Sequence, residues 1–217
     1  MPLSGGRRTN PQPFVQPALF AAYPVVDRLH LGLGVFVPFG QSTKYSDDWI
    51  GRYQVQQVAL KTIDIRPAAA YRVRDWLSVG AGIDITYAHF QRTNAIDFGG
   101  LCVAQLGGGA CGALGLTPTG ADGRLFASVE DWTVGYDVGI LLEPTSELRL
   151  GINYRSGVHN NFSGPAQFTV PAAATPLTAG GAFQNTTVKA TLPFPAVVSA
   201  GAAYQLTEQF TALVDLS

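Results

Sequence analysis

Apolar side chains recur at every second position over long stretches of this chain. Between residues 76 and 90, Leu77, Val79, Ala81, Ile83, Ile85 and Tyr87 fall on one face. Ser78, Gly80, Gly82, Asp84 and Thr86 fall on the other. A period of two is that of a β-strand. A strand this long, apolar outside and small or polar inside, is the pattern of a transmembrane β-barrel. The competing reading, a secreted β-sandwich, expects strands nearer 5–6 residues.

The alternation predicts seven strands and the start of an eighth. The first covers about 13–23, with Val15, Leu19, Ala21 and Tyr23 on one face. The second, 28–39, sends Leu29, Leu31, Leu33, Val35, Val37 and Phe39 outward. The others cover 55–73, 76–91, 128–143 (Trp132, Val134, Tyr136, Val138, Ile140 and Leu142 outward), 147–163 and 186–205. The eighth starts at 209. Tight turns near Asp27, Asp75, Thr145 and Glu208 alternate with loops at 40–54, 93–126 and 164–184. Outer-membrane barrels alternate in this way, with short periplasmic turns and long extracellular loops. The expected fold is therefore all-β, an antiparallel transmembrane β-barrel, with residues 1–217 forming one partial barrel domain of seven to eight strands.

Composition narrows the class further. Only 13% of the 217 residues are charged, against roughly 25% in soluble domains. The mean hydropathy is +0.15, yet no run of about 18 apolar residues predicts a membrane helix. With a formal net charge of −1 there is no basic patch and no case for nucleic acid. Strand parity directs Asp64, Arg66, Asp84, Asp131, Asp137, Arg149, Arg155, His159 and Lys189 inward, where paired ions lining a wet interior are expected. A charge on the lipid face would cost roughly 2–4 kcal/mol at mid-membrane. The first residues lack the apolar core of a signal peptide, and "FTALVDLS" ends while still alternating. A piece of a longer barrel is expected on both counts.

Several stretches together resemble the FadL/TodX family of outer-membrane transporters for long-chain fatty acids and hydrophobic hydrocarbons. They are "GLGVFVPFGQSTKYSDDWIGRY", "LKTIDIRPAAAYRVRDWLSVGAGIDITYA", "DWTVGYDVGILLEPTSELRLGINYRSGVHNNFSG" and "TTVKATLPFPAVVSAGAAYQL". The resemblance covers nearly all of residues 12–217. It implies a monomeric barrel of about fourteen strands in the outer membrane of a Gram-negative bacterium, plugged by an N-terminal hatch. This chain would hold the second to eighth strands and part of the ninth. The hatch, the first strand and the C-terminal strands would lie outside it. Transport would then belong to the complete parent, since an unclosed sheet exposes two edges.

The resemblance also implies site residues. Two apolar loops would form a low-affinity groove, here through Phe98, Leu101, Val103, Leu114 and Leu116 of the first loop and Phe168 and Val170 of the second. The plainer reading is that these side chains pack the loops together. A buried carboxylate needs a basic partner, and Arg92 is the candidate, beside rather than on the family's position, which Asn94 occupies. An ordinary loop-edge arginine is the alternative. The family's second strand kinks inward and opens a lateral exit; Pro38 and Gly40 would mark it, or simply end the strand. Cys102 and Cys111, both in one Gly-rich extracellular loop, are expected to form a disulfide.

The expected function is passive transport of long-chain fatty acids. The alternatives are uptake of aromatic hydrocarbons or other hydrophobic small molecules and, in another class, a structural or adhesive surface barrel. Partners would be such a ligand and the lipid of the outer membrane. No catalytic motif is present, so no enzyme is expected. No cofactor or metal is expected either, since His30, His89 and His159 are scattered over separate strands.

Overall fold

The computed structural model describes residues 16–217; Val15 and the start of the first expected strand lie outside them. Among the described residues, eleven antiparallel strands form one sheet. They are β1 (Ala18–Val26), β2 (Leu29–Phe36), β3 (Gly40–Lys44), β4 (Gln57–Arg74), β5 (Leu77–Asp97), β6 (Asp122–Leu142), β7 (Leu148–Arg155), β8 (Val158–Thr169), β9 (Thr186–Phe194), β10 (Val197–Gln205) and β11 (Thr211–Leu216). The sheet is a curled wall that does not close on itself: β1 pairs only with β2, and β11 only with β10.

The count exceeds expectation because three wall strands are each broken in two. β2 and β3 both pair with β4. β7 and β8 both lie along β6. β8 pairs with β9 at the loop end, whereas β7 pairs with β10 at the turn end. Sequence reading treated 147–163 and 186–205 as continuous; the breaks fall at Ser156–Gly157 and Pro195–Ala196. The expected loop 93–126 is also shorter. β5 and β6 stay paired out to Asp97 and Asp122, and helices α1 (Phe98–Leu106) and α2 (Gly108–Ala113) fill the connection.

The two faces differ as the period of two requires. Trp132, Val134, Tyr136, Val138 and Ile140 on β6 are exposed, as are Val79 and Ile83 on β5 and Leu31 and Leu33 on β2. From Trp132 to Leu142 this band spans about 25 Å once a strand tilt of roughly 40° is allowed for. Tyr87 and Trp132 pack at 5.1 Å at its loop-side margin, the position of an interfacial aromatic girdle. The other face is concave. Arg155 on β7 reaches Asp64 on β4 across two intervening strands, which is possible only inside a curl.

The breaks change parity, and this overturns three expectations. Phe39, expected outward, packs inward against Phe194, because 37–39 hold one residue more than the Thr62–Ile63 they oppose. Between Glu130–Ser163 and Asp137–Arg155, residues 131–136 of β6 stand opposite 156–162. The extra residue flips β8 relative to β7. Val158, Asn160 and Phe162 therefore face inward, and His159 is exposed on the convex side. Lys189, paired with Ser163, follows it outward.

The inward-facing Phe162 packs with Ala88, Val129 and Phe194, and with Phe39, Leu60, Phe90, Val158 and Val188 around them. Truncating so buried a ring leaves a cavity. Phe162→Ala is expected to cost about 3 kcal/mol, read as a lowered midpoint of urea unfolding of the barrel in detergent; an unchanged midpoint would contradict this packing.

Candidate functional site

The concave face is layered, and positions along β5 set the order. Nearest the turns, inward Ser78 and Gly80 help to line a hollow of about 540 Å³. His30, Gly32, Ala70, Gly139, Gly151 and Ser199 complete much of its wall. The space exists because small side chains from neighbouring strands meet at one level.

The next level is ionic. Arg66 Nε lies 2.5 Å from Asp84 Oδ1 and 3.1 Å from Asp137 Oδ2. Arg155 Nε lies 3.2 Å from Asp84 Oδ2, and its Nη2 bonds Asp64. Thr86 Oγ1 donates to Asp64 at 3.2 Å. Asp64 and Asp84 are fully buried, so these contacts replace their lost hydration. Two guanidiniums thus tie together three carboxylates from β4, β5 and β6. Both also sit against aromatic rings: Arg66 lies 4.7 Å from the Phe36 ring centre, and Arg155 lies 5.9 Å from that of Phe39.

Above the ions lies the aromatic level. Phe39 and Phe194 approach to 4.8 Å, and Phe90 and Phe162 to 6.3 Å. Phe39 stands in the break between β2 and β3. There three residues, 37–39, oppose Thr62 and Ile63, because Phe36 pairs with Asp64 and Gly40 with Lys61. Thr62 replaces the interrupted ladder. Its Oγ1 accepts from Phe39 N at 3.0 Å and donates to Phe39 O at 2.5 Å. Pro38 lies inside this break and Gly40 opens β3.

The loops form the outermost level. Phe98, Cys102, Cys111, Leu116 and Ala174 are fully buried together, with Leu101, Val170, Leu177 and Phe183 packed around them. Cys102 and Cys111 are joined by a disulfide. Phe183 bridges the two loops, 4.9 Å from Phe98 and 5.8 Å from Phe168. Gly99 permits the fold-back, since a Cβ there would lie 1.9 Å from the Thr117 carbonyl oxygen. The groove expected from the sequence is therefore not one surface. Phe98 and Leu116 are covered and act as core; Val103, Leu106 and Leu114 carry the accessible apolar surface.

Arg92 is exposed at the loop edge and donates to the Gln54 carbonyl at 2.7 Å. Arg52 clamps the loops across a long sequence distance, which local pattern does not show. Its Nε donates to Asp122 at 2.6 Å and its Nη2 to Tyr53 and to the Thr119 carbonyl. Tyr53 in turn donates to Asp122 at 2.9 Å. Burial opposes the Arg52 charge, yet Asp122, Tyr53 and Asp97 together outweigh it and hold the pKa above its ordinary value. Burial first, then Asp122, raises the Tyr53 phenol.

The convex apolar band and the layered concave face are those of the wall of an outer-membrane β-barrel. The profile of the outer membrane protein transport protein family (OMPP1/FadL/TodX) matches residues 5–217, and the chain belongs to that family. It is 28% identical over 184 residues to a long-chain fatty acid transport protein of Salmonella typhi, covering 78% of this chain and 40% of the relative. The fold is similar to that of a Pseudomonas aeruginosa FadL homologue, with TM-score 0.77, 19% identity, and coverage of 91% of this chain and 47% of that one. It is also similar to the Ralstonia pickettii toluene transporter TbuX, with TM-score 0.64, 21% identity, and coverage of 92% and 53%. The chain spans less than half the length of the curated relatives it matches most fully. Its place is the cell outer membrane.

Removing the clamp should free the loops. Asp122→Asn is expected to weaken loop closure by about 2 kcal/mol, seen as faster subtilisin cleavage within 98–121. In the wild type the same cleavage should rise as pH passes about 10, where an unfolded tyrosine ionises while folded Tyr53 does not. The clamp's contribution is complete below that pH and fades above it.

Proposed function

We propose that this chain is part of a closed outer-membrane barrel that passes long-chain fatty acids inward without an energy source. The observation that carries this reading is the order of levels beneath the loops. An apolar ligand meets Val103, Leu106 and Leu114 at the extracellular surface, then an aromatic level, and then a buried ionic floor. Entering that floor would strip Asp64, Asp84 and the two arginines of partners, at a cost of several kcal/mol. Lateral departure avoids this cost, and the break at Val37–Phe39 interrupts the wall at the floor's upper edge. Pro38, which withholds a ladder donor, keeps the ladder from reforming there, and Gly40 restarts it as β3. Arg92, anchored through one nitrogen to Gln54, meets the ligand carboxylate.

A relative named as a toluene transporter shares the fold, which supports aromatic hydrocarbons as the second reading. A ligand without a carboxylate would have no use for Arg92.

Two measurements test these readings on the gene product that carries residues 1–217. Oleate binding in detergent should weaken about tenfold in Arg92→Ala, roughly 1.4 kcal/mol, with little competition from toluene. Toluene binding with indifference to oleate would move the assignment to hydrocarbons. Deleting Pro38 leaves two residues opposite Thr62 and Ile63, so the ladder can run through. Oleate should then still bind, but its uptake by cells should fall; undiminished uptake would remove the break from the route.

A further inference from the structure

The wall carries a second interruption, between β6 and the β7–β8 junction. Residues 131–136 and 156–162 share no ladder register, although β5 pairs with β6 along its whole length; one backbone bond, Ser156 N to Tyr136 O at 2.8 Å, crosses at the turn end. Val158–Ala166 stay paired with β9, and β8 rejoins β6 from Glu130–Ser163 up to Arg124–Thr169, so only the stretch between Ser163 and Arg155 is open towards β6. Side chains lace that seam. Asn161 N donates to Asp131 at 2.6 Å, Tyr136 N to Ser156 Oγ at 2.9 Å, and Thr133 Oγ1 to Asn160 Oδ1 at 3.5 Å. At membrane depth an unpaired strand edge is expensive. Such a substitute for a ladder is weaker than a ladder and easier to open.

Both strands of the hairpin break at the same level. Arg155 pairs with Val197 below, and Val158 with Phe194 above. The two junctions, Ser156–Gly157 and Pro195–Ala196, therefore face each other and form one hinge line. Proline withholds a ladder donor, and glycine tolerates the bend. Above the hinge the hairpin leans inward and carries Phe162 and Phe194 into the aromatic level, where Phe194 meets Phe39. Ala88, Val129, Phe162 and Phe194 are all buried there, so an apolar molecule leaving beside β8 must displace those rings.

We propose that β8–β9 is a hinged gate, and that the β6–β8 seam is the passage it opens for apolar ligands. This passage is separate from the break at Val37–Phe39. The hairpin stays laddered to β6 at its loop end, through Arg124–Ala127 and Ala166–Thr169. Bowing it outward between the Glu130–Ser163 pair and the hinge exchanges three side-chain bonds and the Ser156 N to Tyr136 O bond for access along exposed Trp132, Val134 and Tyr136, and it draws Phe194 away from Phe39. Gly135 keeps the gate shut by leaving room, since a Cβ there would lie 2.8 Å from Ser156 Oγ and 3.0 Å from Val158 Cγ1. The proposal rests on the transport reading above.

The test locks the seam. Thr133→Cys with Asn160→Cys places two thiols where side chains now touch. A short, reducible bis-methanethiosulfonate reagent would join them in the gene product expressed in cells. Each single variant and the wild type, treated alike, control for the substitutions and for the Cys102–Cys111 disulfide. Uptake of labelled oleate, and separately of toluene, should fall about tenfold or more on cross-linking, as expected when the competent state is held to a small population. Reduction should restore it. Undiminished uptake in the cross-linked protein would overturn the gate while leaving transport standing. Failure of the untreated proteins to take up either ligand would overturn the transport reading and the gate with it. Gly135→Val is the opposite probe and wedges the seam apart. Uptake should rise, and unchanged or reduced uptake would overturn the gate.

Discussion

Every backbone amide at membrane depth needs a partner, because lipid supplies none. Most of this wall meets the requirement through ladders, and the β5–β6 pairing shows how continuous they can be. Where a ladder stops, a side chain takes over. Thr62 serves Phe39, Ser156 serves Tyr136, and Asp131 serves Asn161. The interruptions are thus bonded features of the wall rather than frayed ends.

Their level is as informative as their existence. The break at Val37–Phe39 and the hinge at Ser156–Gly157 and Pro195–Ala196 meet across the interior through Phe39 and Phe194. Directly beneath lie Arg66 and Arg155 with their three aspartates. The aromatic level favours apolar matter, and the ionic level excludes it. Both ladder breaks lie beside the boundary between them, and the proposed sideways route rests on that juxtaposition.

Much of this was legible in the sequence. The alternation over 76–90 and 128–143 identified the two longest wall strands and which face meets lipid. It also put Asp64, Arg66, Asp84, Asp137 and Arg155 on one face. It said nothing of their meeting, because that depends on the curl of the whole sheet. Parity counting fails wherever a strand is broken, which is why His159 and Lys189 were directed inward and stand outward. Gly157 and Pro195 were the available signals, and a proline within an apparent strand should have counted against its continuity. The loops were opaque for another reason. Composition marks Phe98, Leu116, Val103 and Leu114 alike as apolar, and only the tertiary fold separates the covered pair from the exposed pair. Arg52 stands in the expected loop 40–54, and its bond to Asp122, 70 residues away, joins segments that no local pattern connects.

The central claim is that the wall is held by side chains rather than ladders at two places. Hydrogen–deuterium exchange of the gene product in lipid nanodiscs tests it most directly, since exchange reports local opening. The amides of Phe39, Tyr136 and Asn161, which bond side chains rather than a neighbouring strand, should exchange well ahead of those at 79–85 on β5 at the same membrane depth. Equal, strong protection across all of these amides would contradict the account.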